Sequence, residues 1–162
     1  MEVTLDPHAV QWRIAMFRRI VVSTDGSPRS NRAIKSAAAL ARICGASLTI
    51  FHAIPAYRMP YYAEGMSFVW PSETQYLKGA DRETAKLLAR ARALAAKQGV
   101  AATTAQVHSA DTSLAIVAAA GKARADLIVM ASHGRKGLQK LLLGSETQKV
   151  LARTRIPVLV VR

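Results

Sequence analysis

The segment from Asp126 to Met130 constrains the fold more than any other, because its run Leu-Ile-Val-Met is apolar without polar alternation. A strand that is apolar on both faces is typical of a parallel sheet covered by helices on each side. Similar short runs rich in β-branched residues recur along the chain, separated by segments with apolar residues at helical spacing. This alternation predicts an α/β fold built on a doubly wound parallel sheet.

Five strands and four or more helices are predicted, with helices on both faces of the sheet. The strands are expected at residues 20–23, 47–52, 102–107, 126–130 and 157–161. The helices are expected at about 28–44, 73–98, 112–120, 138–143 and 145–153. Ser27 is the N-cap candidate of the first helix, Gly45 ends it, and Asp111 or Thr112 caps the third. In such folds ligands bind at the carboxyl ends of the strands, so functional residues should follow those ends.

Composition places the chain in a broad class. It has 162 residues, enough for one domain, and 51% of them are hydrophobic. No apolar run reaches the roughly 18 residues that a membrane-spanning helix needs. Arg13, Arg18 and Arg19 interrupt the N-terminal apolar residues where a signal peptide would need a continuous run. These features predict a cytoplasmic protein with no membrane partner.

The formal net charge of +13 favours anionic partners. The basic residues are spread along several predicted helices without interleaved aromatic residues, so we do not expect nucleic acid as a partner. The alternative is a basic nucleic-acid-binding protein, which would bind DNA or RNA tightly and in a salt-sensitive way. Charge alone does not choose between these functions.

Two segments fall outside the repeating pattern. Residues 1–16 lack clear periodicity, which predicts either a native start at Met16 or a loosely attached N-terminal arm, with the domain spanning 17–162. Residues 55–72 hold three prolines and five aromatic residues and are predicted to form a long loop. Such a loop is either a lid or contact surface, or a mobile connection whose aromatic residues cover one face of the domain.

Several nucleotide and metal motifs are absent from the sequence. It has no G-x-x-x-x-G-K-[ST] segment, which excludes a P-loop, and the residues after the first strand form no dinucleotide-binding glycine fingerprint. A phospho-receiver would need an acidic pair near the first strand, and only Asp25 is present there. No cysteine pair or histidine cluster has metal-ligand spacing. We therefore predict no protein-bound metal.

The loop after the fourth strand carries the strongest functional signal. It runs from Ala131 through Gly134 to Gly144-Ser145, where the next predicted helix begins. Small residues after a parallel strand let the backbone approach a ligand closely, and a helix N-terminus favours phosphate. The alternative is ordinary helix punctuation, with glycine for a turn and serine for a cap.

This loop resembles the G-x2-G-x9-G-[ST] signature of the nucleotide-binding branch of the universal stress protein family. The second glycine of the signature falls on Gly134, the nine-residue spacer on 135–143 and the final pair on Gly144-Ser145. The resemblance covers about residues 16–162, including the first strand with Asp25. It implies an adenine nucleotide alpha hydrolase-like, Rossmann-like fold that binds ATP, with Mg²⁺ or Mn²⁺ held by the phosphates.

The resemblance also implies a set of contact residues. Asp25 and the backbone of Ala53 would contact adenine. Ser23 and Ala131 would lie near the ribose, with Met130 beside them. The phosphates would be held by Thr24, Gly134, Gly144, Ser145 and the amide of Glu146. For Asp25 the alternative is a turn-forming role ahead of Gly26. No catalytic residue is expected: Ser132 and His133 are adjacent on a tight loop, and no orienting carboxylate is evident.

Two residues depart from the family pattern. Ala131 replaces the first glycine of the signature, which would cost on the order of 1 kcal/mol if the position needs a positive φ and almost nothing if φ is negative. Glu146 stands where the family usually has an apolar residue. A carboxylate there suits the helix N-terminus but would repel a triphosphate unless it turns outward. Where they take effect, these departures would weaken an ATP site rather than abolish it.

Two functional readings follow. The first is an ATP-binding regulatory module of the stress response with at most slow ATP hydrolysis, because no general base is evident. The second is a protein-interaction module of the same fold that binds no nucleotide, as some family members do. In both, the apolar last strand at 158–161 would lie at an edge of the sheet and form a homodimer contact, as is common in the family.

Overall fold

The computed structural model describes residues 16–57, 72–133 and 143–162. The strands are β1 (Arg19–Ser23), β2 (Ser47–Pro55), β3 (Ala102–Ser109), β4 (Leu127–Ala131) and β5 (Val158–Val161), and the helices are α1 (Pro28–Cys44), α2 (Glu73–Ala96), α3 (Thr112–Lys122) and α4 (Ser145–Arg153). The helix expected at 138–143, the first 15 residues, most of the aromatic loop and Gly134 lie outside the described residues.

All five strands pair in parallel, in the order β3-β2-β1-β4-β5. The prediction of a doubly wound, five-stranded parallel sheet is confirmed. The chain winds outward from β1 through β2 to β3 and then returns to the other side of β1 with β4. The topological switch point therefore lies between β1 and β4, and β5 forms one edge of the sheet.

Two apolar clusters cover the two faces of the sheet. Ile20 and Val22 of β1 pack under α1 and α2, whereas Val21 packs under α3 and α4. This division follows from the period of two along a strand. The apolar run of β4 divides in the same way, and its residues 127–130 are buried on both faces, as its sequence predicted.

Local signals set most helix boundaries. The Ser27 hydroxyl accepts a hydrogen bond from the Ser30 N–H at 3.1 Å, and Gly45 ends α1 with a φ of 64°. Helix α3 begins after Asp111 rather than Thr112, because the Asp111 carboxylate accepts the Leu114 N–H at 3.1 Å. These contacts satisfy main-chain groups that helix ends otherwise leave unpaired.

Strands β2 and β3 are longer than predicted. Their pairing continues past His52 to the partners Ala53 and Val107, and ends at Pro55 and Ser109. The expected strand end at His52-Ala53 is therefore wrong, because both residues lie inside β2. The strand can extend to Pro55 because a terminal proline removes no hydrogen bond from the interior of the ladder.

Candidate functional site

The site predicted from the sequence lies at the carboxyl ends of β1 and β4. These strands are neighbours, but their following helices cover opposite faces, since α1 packs with Ala33 and Ile34 in one cluster and α4 packs with Val150 in the other. The two connecting segments therefore diverge, and parallel α/β sheets bind ligands in the crevice that such divergence opens.

The turn from β1 into α1 is held by its own side chains. Thr24 is only 6% exposed, and its hydroxyl accepts the Gly26 N–H at 3.1 Å and lies 3.0 Å from the Ser30 hydroxyl. The Asp25 carboxylate accepts the Ser27 N–H at 3.0 Å. Gly26 has a φ of 77°, a conformation that glycine adopts without steric cost. The turn is thus built before any ligand binds.

Asp25 has the turn-forming role that the sequence offered as the alternative to contact with adenine. It is half-buried, and one of its oxygens receives the Ser27 N–H. A carboxylate has about four acceptor positions, so turn formation and recognition of an amino group are compatible roles. The bond fixes the orientation of the carboxylate at the end of β1.

Ala131 is the last residue of β4 and pairs with Val161. Among the described residues other than glycine, only Arg124 has a positive φ. The cost expected for alanine at a positive φ therefore does not arise at Ala131. Its carbonyl accepts a hydrogen bond from the Thr147 hydroxyl at 3.1 Å, which ties the strand end to α4.

Gly144 has a steric reason to be glycine. Its N–H donates to the Ser132 carbonyl at 2.7 Å, and a Cβ would lie 3.1 Å from that oxygen and 3.3 Å from the His133 Cα. Its φ of −67° is open to any residue, so the constraint is close approach of main chains rather than backbone conformation. A side chain at this position would push α4 away from the end of β4.

The N-terminus of α4 carries no side-chain cap, because its N-cap residue is Gly144. Ser145 occupies the first helical position and is exposed. First-turn N–H groups without an internal acceptor, together with the positive end of the helix dipole, form a binding place for anions. Ser145 adds a hydroxyl at the same point.

Glu146 is half-buried and turns along its own helix. Its carboxylate forms an ion pair with Lys149 at 2.9 Å, with 41% of the glutamate side chain exposed. The pairing offsets the charge that was expected to repel a phosphate. The departure from the family pattern at Glu146 is therefore accommodated within α4.

The other predicted contact residues lie at the same edge of the sheet, some with their side chains there and some with only their main chain. Ser23 is half-buried and pairs with Phe51. Met130 is 4% exposed, and its side chain packs in the cluster under α3 and α4, so only its main chain is near the edge. Ala53 is half-buried and packs against the same cluster.

Ser132 and His133 contact each other, contrary to the expectation from their adjacency. His133 Nδ1 lies 3.2 Å from the Ser132 hydroxyl, and Ser132 is 4% exposed. His133 Nε2 is buried and has no hydrogen-bond partner among the described residues, so no carboxylate in that part of the chain orients the ring. Within these residues the pair lacks the third group that a nucleophile–base arrangement needs. Sequence reasoning also missed Thr147, whose hydroxyl donates to the Ala131 carbonyl at the end of β4; a threonine in the first turn of a helix was its only signal.

The two strand histidines, His52 and His108, both have hydrogen-bond partners. His52 Nδ1 donates to the Thr24 carbonyl at 2.7 Å, and His108 Nε2 lies 2.8 Å from the Asp81 carboxylate. No group of three or more metal-ligating side chains occurs within 16–57, 72–133 and 143–162. Over the same residues, no helix is long and apolar enough to cross a membrane.

Comparison with known proteins identifies relatives of this chain. Residues 16–162 match the universal stress protein family. A universal stress protein of Thermus aquaticus, encoded in the QAH/OAS sulfhydrylase 3′ region, is 36% identical over 151 residues, covering 91% of this chain and all of the relative.

Solved structures share the fold. A universal stress protein in complex with cAMP has 26% identity and a TM-score of 0.64, covering 90% of this chain and 97% of its own. A universal stress protein from Archaeoglobus fulgidus in complex with dAMP has 20% identity and a TM-score of 0.67, covering 90% and 98%.

Proposed function

Because the chain belongs to the universal stress protein family, we propose that it is a cytoplasmic regulatory module of the stress response that binds ATP at the switch point between β1 and β4. The observation that carries the proposal is the uncapped N-terminus of α4. It can lie close to Ser132 and His133 because Gly144 has no side chain. Relatives in complex with cAMP and dAMP support an adenine nucleotide as the ligand class.

In this proposal the base lies at the β1 side of the crevice and the phosphates lie at the α4 side. The Asp25 carboxylate accepts a hydrogen bond from the amino group of adenine, beside the main chain of Ala53. Ser23 and Ala131, with the main chain of Met130, border the ribose.

The α4 side would hold the phosphates through main-chain N–H groups. Gly144, Ser145 and the amide of Glu146 supply donors at the positive end of the helix dipole, and Gly134, which lies outside the described residues, completes the set. Thr24 is buried and its hydroxyl is used within its own turn, so we assign it a positioning role.

A divalent cation, Mg²⁺ or Mn²⁺, would be held by the phosphates. ATP hydrolysis would be slow, because no carboxylate of residues 16–57, 72–133 and 143–162 orients the Ser132–His133 contact. A cation that contributes in this way should raise ATP affinity, and unchanged affinity after chelation of divalent ions would contradict it.

We also propose a homodimer through β5. This strand is at the edge of the sheet, and Leu159 of β5 and Leu151 of α4 are 40% and 42% exposed. An apolar edge strand invites pairing with another chain. Analytical ultracentrifugation should show a dimer, and a monomer at every concentration would contradict this part of the proposal.

Calorimetric titration of ATP into nucleotide-stripped protein tests the site. Gly144→Asp is a poor probe, because its Cβ would collide with the Ser132 carbonyl and disturb the fold. Ser145→Asp is better, since a carboxylate in the first turn suits the helix dipole but repels phosphate. We expect the affinity for ATP to fall at least about tenfold, because opposed like charges cost several kcal/mol.

The matched control is Thr74→Asp, which adds the same charge to the exposed first turn of α2. It should leave ATP affinity unchanged. If neither the wild-type protein nor the control binds ATP, the alternative of an interaction module that works without nucleotide becomes the better account. Equal binding by Ser145→Asp and the wild type would place the phosphates elsewhere.

A further inference from the structure

A second concave region lies on the opposite side of the β1–α1 turn from α4. It is a groove of about 660 Å³ between α2 and the carboxyl ends of β1 and β2. Small-molecule sites in proteins enclose about 300–1,000 Å³, so this volume is sufficient for a ligand. Its lining contains Thr24 and Gly26 of the β1–α1 turn but no described residue of α4.

The groove has a mixed lining of aliphatic and polar side chains. Ile54, Leu87 and Leu94 supply aliphatic surface. Thr84 also lines it and is 4% exposed as a residue, but its hydroxyl is not a buried unpartnered group, since among the described side chains only His133 Nε2 is one. A hydroxyl that lines the groove can donate to or accept from a ligand there.

Cations line the α2 side of the groove. Lys86, Arg90 and Lys97 all lie along it, whereas the single lining carboxylate, Glu83, is paired with Lys86 at 2.9 Å. Arg90 and Lys97 form no ion pair with the described residues, and both are exposed. The groove therefore combines aliphatic surface from Ile54, Leu87 and Leu94 with an excess of positive charge at one side.

We propose that this α1–α2 groove binds a small amphiphilic organic anion, with an apolar body against Leu87 and Leu94 and a carboxylate or phosphate group beside Arg90 and Lys97. No aromatic side chain is among the described residues that line the groove, so none of these residues offers a platform for stacking a base. The combination of aliphatic surface and cations fits an amphiphile better than a second nucleotide.

The groove borders the β1–α1 turn, and one of its lining residues is hydrogen-bonded to that turn. His52 lines the groove, and its Nδ1 donates to the Thr24 carbonyl at 2.7 Å, directly before Asp25. A ligand that shifts His52 would shift the residue proposed to contact adenine. This coupling rests on the proposed function, and by linkage each ligand would alter the affinity of the other by the same factor.

The binding itself is tested with decanoate and decyl phosphate as probes, titrated calorimetrically into the full-length protein below their micelle concentrations. Decyltrimethylammonium has the same tail with a cationic head and serves as the control. We expect saturable binding of at least one anionic probe and none of the cation. Tighter binding of decanoate or of decyl phosphate identifies the head group. No saturable binding of either anion, or equal binding of the cation, would overturn the proposal.

Paired variants locate the site. Arg90→Gln with Lys97→Gln removes two cations of the groove, and Arg92→Gln with Lys78→Gln removes two exposed cations of α2 that do not line it. The first pair should weaken binding at least tenfold and the second less than twofold. Equal losses in the two pairs would mean a general charge effect and would overturn the assignment.

Thr84→Val keeps the shape of the side chain and removes its hydroxyl, so it should weaken binding severalfold without changing the thermal midpoint. Unchanged binding would overturn the assignment of Thr84 as a contact of the ligand.

The Ser145→Asp variant separates this proposal from the proposed function. It should keep its affinity for the anionic probe while losing ATP. Loss of both would indicate one shared site and contradict a second groove.

Discussion

Helices α1 and α4 begin at the same edge of the sheet, but their first turns are completed in different ways. The N-terminus of α1 is filled by the Ser27 hydroxyl, and the turn before it is tied by Thr24 and Asp25. The N-terminus of α4 begins at Gly144 and has no side-chain cap. Helices α2 and α3 resemble α1, since Ser72 and Asp111 cap them.

This difference separates helix ends that the protein caps itself from one that can bind a ligand. A side-chain cap accepts one of the first-turn N–H groups, whereas an uncapped end at the switch point keeps these groups for an anion. Three of the four described helices have such a side-chain cap. The fourth, α4, has none, and in the proposed function phosphate takes its place.

The largest expected effect on folding comes from filling the space at Gly144. Gly144→Ala would place a methyl group 3.1 Å from the Ser132 carbonyl oxygen, and overpacking of this kind costs about 1–3 kcal/mol. Chemical denaturation should show this loss of unfolding free energy. Gly79→Ala is the control, because nothing lies within 4 Å of its added Cβ in the interior of α2. It should instead stabilise by about 0.5–1 kcal/mol.

Removal of the α1 cap should have a smaller effect. Ser27→Ala deletes the acceptor of the Ser30 N–H and should cost about 1 kcal/mol of unfolding free energy. ATP affinity should change much less than in Ser145→Asp, because α1 is not proposed to touch phosphate. A loss of ATP affinity as large as that of Ser145→Asp would contradict the claim that phosphate binds at the start of α4 and not at the start of α1.

The smallest expected effect concerns the N-terminus of α3 and disappears in acid. The pKa of Asp111 is lowered, chiefly by the Ser113 hydroxyl and then by Arg153 and the Leu114 N–H. A lowered pKa in the folded state gives stability that is present above the unfolded pKa, about 3.9, and is lost as the pH falls below it. Asp111→Asn should therefore reduce the urea midpoint at pH 6, and the difference from wild type should shrink between pH 4 and lower pH. A difference that is constant with pH would contradict this origin.

Local patterns predicted the framework well, because their causes are local. The apolar run at 127–130 indicated a strand buried on both faces, and Ser27 and Gly45 marked the ends of α1. Local patterns could not predict where β2 ends, since its length depends on pairing with β3, which lies far along the chain. This pairing extends β2 to Pro55.

The candidate site was predicted by residue type but not by mechanism. The signature placed Gly144 at the edge, yet the reason for glycine is contact with Ser132 and His133, which only the folded chain shows. The steric cost that was expected if Ala131 had a positive φ does not arise, because Ala131 is the last residue of β4 and its φ is negative. The turn-holding role of Thr24 also depends on burial, which sequence does not report.

The most direct test of the account follows the backbone amides by NMR while ATP is added to the stripped, isotope-labelled protein. We predict that the amide resonances of Ser145, Glu146 and Thr147 shift saturably, whereas the first-turn amides of the capped helices α2 and α3 do not move. ATP binding with unmoved α4 amides, or with equal shifts at the starts of α2 and α3, would contradict the claim that the uncapped end of α4 holds the phosphates.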